Sequence, residues 1–349
     1  MDAELSQGTT ALAAQANRTV IYGAMLLLVI VGALFVYKGT AALAVIEKVQ
    51  NTGAFKPRIN VVPLPGSAAQ VNVVARSINY FVVIWPALLF GILISGAVRV
   101  LDPPRWLGQA LDRGRIRSQL VAGLAGAPLM LCSCCAAPIF SGVYERSSRL
   151  GPSLAVMLAA PSLNPAALTL TFMLFDRRIA LTRLAIAGLA VFLTGILIDK
   201  LFSLRPIDCP TSDEEGRPVV TTFLRSCLQV AVRTLPLIAV GVLISMAVAL
   251  WLPVGALAST GGQTVAIVVV ALIAVPLAMP TFFEIPLALI LLSAGAPPGA
   301  AVAMMIAGPA VNLPSLFTIS RSTNLKVAAS VALTIFVLAV AGGLLVSLV

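Results

Sequence analysis

The chain has 349 residues, 59% hydrophobic and only 10% charged, whereas a soluble domain carries about one quarter charged residues. Apolar stretches of the roughly 20 residues that a bilayer span requires recur along nearly the whole chain. This composition excludes a soluble globular protein and predicts an all-α, polytopic membrane protein in contact with the lipid bilayer. The net charge of +10 lies in short Arg and Lys clusters between apolar runs, which is typical of topology-setting loops and argues against a nucleic-acid partner.

Nine apolar runs are predicted to be transmembrane helices. In chain order they are 20–37, 79–99, 118–144, 152–174, 179–198, 226–252, 263–294, 298–320 and 326–348. The first run follows an acidic N-terminus, unlike the basic start of a cleaved signal peptide, so it is interpreted as a retained span. Residues 39–72 are too interrupted by polar residues to be a span.

Two parts of the chain repeat each other. The segment "WPALLFGILISGAVRV" matches "LPLIAVGVLISMAVAL" at a shift of 150 residues, and "GPSLAVMLAAPSLNP" matches "GAAVAMMIAGPAVNL" at a shift of 148. The predicted domains are an N-terminal helix and extramembrane segment (1–78), repeat 1 (79–199), a linker (200–225) and repeat 2 (226–349). Four predicted crossings in each repeat, an even number, predict parallel repeats with a cytoplasmic N-terminus. The Arg clusters at 99–117 and 177–183 then share one side with Arg321 and Lys326.

Prolines are predicted to break the second and third spans of each repeat at matching depths. They are Pro138 and Pro161 in repeat 1, and Pro280, Pro286 and Pro309 in repeat 2. Matched interruptions in two halves indicate the central binding site of a transporter, because broken backbone is tolerated in the bilayer only where protein or a wet cavity covers it. Asn164 and Asn312 lie just beyond such a proline, where an amide caps a helix or contacts a substrate.

The two repeats differ most at the first break. Repeat 1 has Cys132, Ser133, Cys134 and Cys135, whereas repeat 2 has Thr281 and then Glu284 between apolar residues. Thiolates select soft ions and thiophilic centres such as copper(I), zinc, trivalent arsenic and mercury. A permanent zinc site is not predicted, since a closed site requires four ligands and the chain has no histidine. The cysteines instead favour a small thiophilic substrate that is bound and released.

Glu284 is the only charge between Arg233 and Arg321. Acidic residues inside a membrane commonly face a pathway and carry protons, so proton coupling is predicted for Glu284, with a neutral structural role as the alternative. Arg233 is a candidate partner for Glu284, although its guanidinium is also placed to reach the membrane interface.

The motif "PLMLCSCCAAPI", the following "GVYERSSRLGPSLAVMLAAPSLNP" and the echo "GAPPGAAVAMMIAGPAVN" resemble those of the ArsP-type predicted permeases, some of which export trivalent organoarsenicals from bacteria. The resemblance covers about residues 79–349. It implies that Cys132 and Cys134 are the substrate-thiol positions, with Pro138, Gly151, Pro161 and Asn164 in the surrounding motif. The third cysteine, Cys135, departs from the family pattern.

The sequence therefore predicts a secondary transporter in the bacterial inner membrane, not an enzyme, that exports a soft thiophilic substrate and requires no cofactor. No nucleotide-binding P-loop is present in the sequence. One alternative is a membrane thiol-disulfide oxidoreductase that uses Cys132 and Cys135, and another is a channel or scaffold subunit. The oligomeric state stays open. The predicted substrate-binding residues are Cys132, Ser133, Cys134, Cys135, Pro138, Pro161, Asn164, Thr281, Glu284, Pro286, Pro309 and Asn312.

Overall fold

A computed structural model describes residues 2–53, 73–100, 115–147, 149–202, 219–250 and 262–348, and all regular secondary structure in these ranges is helical. The all-α prediction is confirmed for this part of the chain. Most of the predicted linker, with Cys209, lies outside the described residues, as do two arginines of the 99–117 cluster, Arg105 and Arg113.

Thirteen α-helices are described. The first seven are α1 (Asp2–Thr52), α2 (Val73–Val100), α3 (Arg115–Gly126), α4 (Ser133–Ser147), α5 (Leu150–Ser162), α6 (Pro165–Leu174) and α7 (Arg177–Leu201). The other six are α8 (Val219–Leu250), α9 (Gln263–Ala274), α10 (Glu284–Ser293), α11 (Pro298–Ala310), α12 (Leu313–Ser322) and α13 (Leu325–Leu348).

Six spans among the described residues are long and apolar enough to cross a membrane, with α5 and α6 counted as one. A seventh is added if α11 and α12, which meet at an angle of 43°, form one bent span. The predicted count of nine is not confirmed, because the runs 118–144 and 263–294 are each divided between two short helices. The first span is also longer than predicted: α1 remains helical to Thr52, and its apolar part is Gly23–Thr52.

In the first half, α3 and α4 form a hairpin. α3 runs beside α5 in the same direction, since Gln119 near its start packs against Gly151 and Gly126 at its end packs against the backbone of Val156. α5 begins directly after α4 ends. The start of α3 and the end of α4 therefore lie together where α5 begins, which we call the first end of the bundle. The opposite end is the second end.

α2 and α7 also finish at the first end. In the last turn of α2, Arg99 forms an ion pair of 2.7 Å with Glu145 near the end of α4. In the last turn of α7, Asp199 accepts a hydrogen bond of 2.9 Å from the backbone N–H of Gly151. Since the α3–α4 hairpin returns to its starting end, it adds no crossing. The first half crosses the bundle three times, through α2, through α5 with α6, and through α7.

The second half contains the same hairpin in the opposite orientation. Gly299 near the start of α11 packs against Ile267 near the start of α9, and α10 ends just before α11 begins. Gly342 in the last third of α13 packs against Ile186 in the first half of α7. Because α7 starts at the second end, α13 finishes there, whereas its counterpart α7 finishes at the first end.

The two halves are therefore inverted relative to each other, and the prediction of parallel halves is wrong. The error follows from counting each hairpin as a span, which turned three crossings into four. The arginines at 177–183 consequently lie toward the second end, whereas Arg321 and Lys326 lie at the first end. One set of contacts recurs in the two halves at the predicted shift of 148 residues. Gly151 contacts Gln119 and Asp199. Gly299 contacts Ile267 and Ser347, and each of these three residues lies 148 positions after its counterpart. The sequence repeat itself stays a prediction.

Cysteine labelling tests the inverted arrangement. We expect Asp176→Cys, just before α7, and Leu325→Cys, at the start of α13, to react with a membrane-impermeant maleimide from opposite faces of the membrane. Neither substitution removes a positive charge, so the bias that orients membrane helices is preserved. The parent chain gives the background from its native cysteines. Labelling of both new cysteines from the same face would contradict the inverted arrangement.

Candidate functional site

Three thiols form a compact buried cluster. The Sγ atom of Cys132 lies 3.0 Å from that of Cys134 and 3.0 Å from that of Cys135, and the latter two are 3.9 Å apart. All three cysteines are free, and Cys134 and Cys135 are 0% exposed. The cluster is the one group among the described residues whose His, Cys, Asp or Glu ligand atoms are placed to share a metal ion.

The local backbone explains why the thiols converge. The chain leaves α3 through a single 3₁₀ turn (Ala127–Leu129), and Met130 adopts a left-handed conformation with φ 51°. The carbonyl of Cys132 then accepts hydrogen bonds of 3.0 Å from the N–H groups of Cys135 and Ala136, which are the first bonds of the α4 helix. The cysteines thus surround the N-terminus of α4, where the helix dipole favours negative charge such as a thiolate.

α2 forms the adjacent wall of the cluster. The Tyr80 hydroxyl lies 3.2 Å from Cys134 Sγ, and the Cys135 thiol lies 3.9 Å from the carbonyl of Ile84. Gly91 packs directly against the carbonyl of Cys135. Tyr80 was not among the predicted site residues. Its only sequence signal is a hydroxyl-bearing aromatic residue in an apolar run.

The break between α9 and α10 meets the cysteine-containing break. Met130, Ala42 of α1 and Ala166 of α6 form a small apolar cluster, and Phe282 packs against it. Met130 and Phe282 are the only non-glycine residues with positive φ in the described part of the chain, at 51° and 74°. Such conformations are strained for bulky residues and concentrate at functional sites. Both halves therefore contribute unwound backbone to one junction.

Glu284 pairs with Arg183, which the sequence predicted to lie in a cluster at the membrane interface. Its carboxylate Oε1 accepts a hydrogen bond of 2.9 Å from Arg183, and the two side chains are 3% and 1% exposed. Arg183 also donates to the Thr171 hydroxyl and lies 3.7 Å from Met305 Sδ. This ion pair connects α7 of the first half to α10 of the second half.

The suggested partnership of Arg233 with Glu284 is wrong. Arg233 is 59% exposed, and its guanidinium lies 3.9 Å from Glu145. Arg183 was predicted to lie in an interfacial cluster, yet it is six residues inside α7 and points into the protein. Phe283, the residue before Glu284, is 42% exposed.

Asn164 and Asn312 cap α6 and α12. Asn164 Oδ1 accepts from the N–H groups of Ala166 and Ala167, and Asn312 forms a reciprocal capping box with Ser315. Both asparagines are fully buried. Neither Nδ2 atom has a hydrogen-bond partner in the described structure. Both asparagines therefore cap a helix, as one of the two predicted roles required, and the NH₂ group of each amide can still donate to a ligand or water.

The remaining predicted residues are distributed around the breaks. Ser133 is the buried first residue of α4, and Thr281 lies in the turn before α10. Pro286 is the third residue of α10, while Pro161 and Pro309 lie one residue before the ends of α5 and α11. Pro138 lies inside α4, so the first break is at 127–132 and not at Pro138 as predicted. Gly151 packs at the first end and not at the junction.

Pro138 nevertheless affects the cluster. Proline has no backbone N–H, so the helical hydrogen bond to the carbonyl of Cys134, four residues earlier, is missing.

Taken together, the site provides three sulfur atoms, a phenol and main-chain carbonyls. Sulfur ligands of this kind suit soft cations and thiophilic centres.

Comparison with known proteins shows the family to which the chain is related. The model of the ArsP_1 family, described as "Predicted permease", matches residues 69–348. UPF0718 protein YraQ of Escherichia coli is 29% identical over 259 residues, 71% of this chain and 72% of its own length. UPF0718 protein MJ0584 of Methanocaldococcus jannaschii is 29% identical over 126 residues, 36% of this chain and 33% of its own. UPF0718 protein YcgR of Bacillus subtilis is 26% identical over 133 residues, 38% of this chain and 45% of its own. No solved structure matches the chain.

Proposed function

Because the chain belongs to the ArsP_1 family of predicted permeases, we propose that it is a secondary transporter that moves a soft, thiophilic substrate across the membrane. The observation that carries this proposal is the cluster of three buried free thiols at the junction of the two halves. The substrate class is a soft cation or a trivalent metalloid compound such as an organoarsenical. Cys132, Cys134 and Cys135 bind it.

The inverted halves support alternating access. In transporters built from inverted repeats, one half rocks against the other around a central site formed by broken helices. Here each half supplies a hairpin that reaches the junction and returns, and Met130 and Phe282 bring the two breaks together. Rocking of the halves would expose the thiols first to one side of the membrane and then to the other.

The Arg183–Glu284 pair supports the proposal that this motion is coupled to protons. It joins the two halves, so a separation at this interface breaks it. Acidic residues buried inside membrane proteins commonly carry protons along a transport pathway, so Glu284 is the coupling residue in this proposal. Glu284→Gln would then uncouple transport from the proton gradient. A channel or scaffold role predicts no such effect.

Burial weighs against the oxidoreductase alternative. Thiol-disulfide exchange requires access of an attacking thiolate to the disulfide sulfur. Cys132 is 4% exposed and its C-x-x-C partner Cys135 is fully buried. In an oxidoreductase these thiols would alternate between free and bridged forms during turnover, which labelling detects.

The charge distribution favours a bacterial plasma-membrane orientation with the first end in the cytoplasm. By the helix directions, most of the Arg and Lys residues near span ends lie at the first end, and cytoplasmic segments carry the excess of such residues. They include Arg99, Arg115, Arg117, Arg149, Lys200, Arg225, Arg321 and Lys326. Transport toward the second end is then export.

Transport in inside-out membrane vesicles tests the proposal. We expect uptake of at least one of Ag(I), arsenite or methylarsenite, and we expect Cys132→Ser, Cys134→Ser and Cys135→Ser each to lower the initial rate about tenfold or more, because sulfur ligands to a soft centre are lost. Cys227→Ser is the matched control, since this buried thiol packs between α2 and α8 away from the cluster. If no soft compound moves, or if the three serine variants transport as the parent does, the proposal is wrong.

A further inference from the structure

α1 carries a lysine on the face that it turns toward the protein. The buried apolar side chains of this helix are those of Ile30, Leu34, Ala42 and Val49, which recur at helical spacing on one side. Lys38 lies between Leu34 and Ala42, four residues from each, and its side chain is half-buried. The other lysine of the apolar part, Lys48, is exposed. A lysine on the inner stripe of a membrane span is costly and marks a functional position by default.

The packing of α1 places the turn that carries this lysine beside the segments that form the cysteine cluster. Ala42, one turn after Lys38 on the same face, contacts Met130, which is two residues before Cys132. Tyr37 stacks on Phe90 of α2 with ring centroids 6.0 Å apart, and the next residue, Gly91, touches Cys135. No ion pair joins Lys38 to an acidic side chain of the described residues.

When the cluster holds a soft cation it carries a net negative charge, which the positive Lys38 ammonium can balance. When a soft cation binds, each thiol releases its proton to water and its sulfur bonds to the cation. When arsenite binds, each As–O bond is replaced by an As–S bond, and the displaced hydroxide leaves as water with the thiol proton. Neither step changes an oxidation state. Three thiolates around a monovalent cation leave two negative charges, around a divalent cation one, and around trivalent arsenic none. Negative charge in a low-dielectric interior is strongly disfavoured unless a positive group compensates it.

We propose that Lys38 is part of the binding site and supplies the counter-charge that allows the three-cysteine cluster to hold monovalent soft cations. This inference rests on the proposed function and narrows it. The family model matches the chain from residue 69, so α1 precedes the matched region. In this proposal α1 is more than a membrane anchor. It completes the site and biases the substrate range toward cations of low charge.

Binding measurements with ions of different charge test the inference. The purified full-length chain in detergent is titrated with Ag(I), Hg(II) and arsenite by equilibrium dialysis. We expect Lys38→Met to weaken Ag(I) binding about a hundredfold, Hg(II) binding about tenfold and arsenite binding less than about threefold, because the interaction with the lysine scales with the net charge of the loaded site. Lys38→Arg should restore Ag(I) affinity to within about threefold, because it keeps the positive charge.

The controls separate this inference from folding and from the proposed function. Lys48→Met removes an exposed lysine of the same helix and should leave all three affinities unchanged. Unchanged arsenite binding by Lys38→Met shows that the cluster is intact. Equal losses for all three ions, or no loss for any, would overturn the role of Lys38 while leaving the proposed function standing. If the parent binds none of the three ions, both are overturned.

Discussion

Glu284→Leu is expected to destabilise the protein by about 3 to 5 kcal/mol, because it leaves the Arg183 guanidinium buried without its counter-ion. Arg183→Leu should also be destabilising, because it leaves the Glu284 carboxyl buried without its partner. The double variant Arg183→Leu/Glu284→Leu should recover most of the lost stability, because two apolar side chains replace a buried pair. Unfolding in detergent, followed by temperature or denaturant, measures these differences.

The matched control for this prediction is the exposed pair of Arg233 with Glu145. Arg233→Leu removes an arginine that is 59% exposed and 3.9 Å from Glu145, so its effect should be below about 1 kcal/mol. If Glu284→Leu were as mild as Arg233→Leu, the ion pair between the halves would not form as described. The double variant should fold but lose proton-coupled transport, which separates the stability of the pair from its function.

Gly91→Ala is expected to destabilise the protein by about 2 to 3 kcal/mol and to disturb the thiol cluster. A methyl group at this position would meet the carbonyl of Cys135, which is backbone and cannot move aside as a flexible side chain can. α2 would have to shift away from α4, and this would displace Tyr80 from Cys134. Thermal unfolding and the affinity for Ag(I) should therefore both decline.

Gly188→Ala on α7 is the control for this substitution. No atom lies within 4 Å of the methyl group that it adds, and alanine favours a helix over glycine by about 1 kcal/mol. Its stability should equal or exceed that of the parent. Equal behaviour of the two alanine variants would show that α2 does not pack closely against the start of α4.

The composition and the periodic apolar runs predicted the helical membrane class, and these predictions hold for α2, α7, α8 and α13. The hairpins were not predictable from length. An apolar run such as 118–144 is long enough for one span or for two half-spans, and only the contacts of Gln119 with Gly151 and of Arg99 with Glu145 show that the chain turns back. The break lies at Gly126 and Pro128 and not at Pro138, because a proline inside a helix can be accommodated by a kink without ending the helix.

The candidate site was predicted in part. Three cysteines within four positions identified the thiol cluster, because neighbouring residues at a helix start cannot lie far apart. The partners from distant segments, Tyr80 and Arg183, were missed. Arg183 and Arg233 both lie within apolar helices, and sequence offers no means of distinguishing the buried arginine from the exposed one. That distinction depends on which face of α7 and α8 meets a neighbouring helix.

X-ray absorption spectroscopy of the purified chain loaded with Cu(I) tests the three-thiol site most directly. The account predicts a first shell made only of sulfur, with three scatterers in the parent and two in Cys134→Ser, and with the parent value retained in Cys227→Ser. A first shell of nitrogen or oxygen, or a sulfur count that Cys134→Ser leaves unchanged, would contradict it.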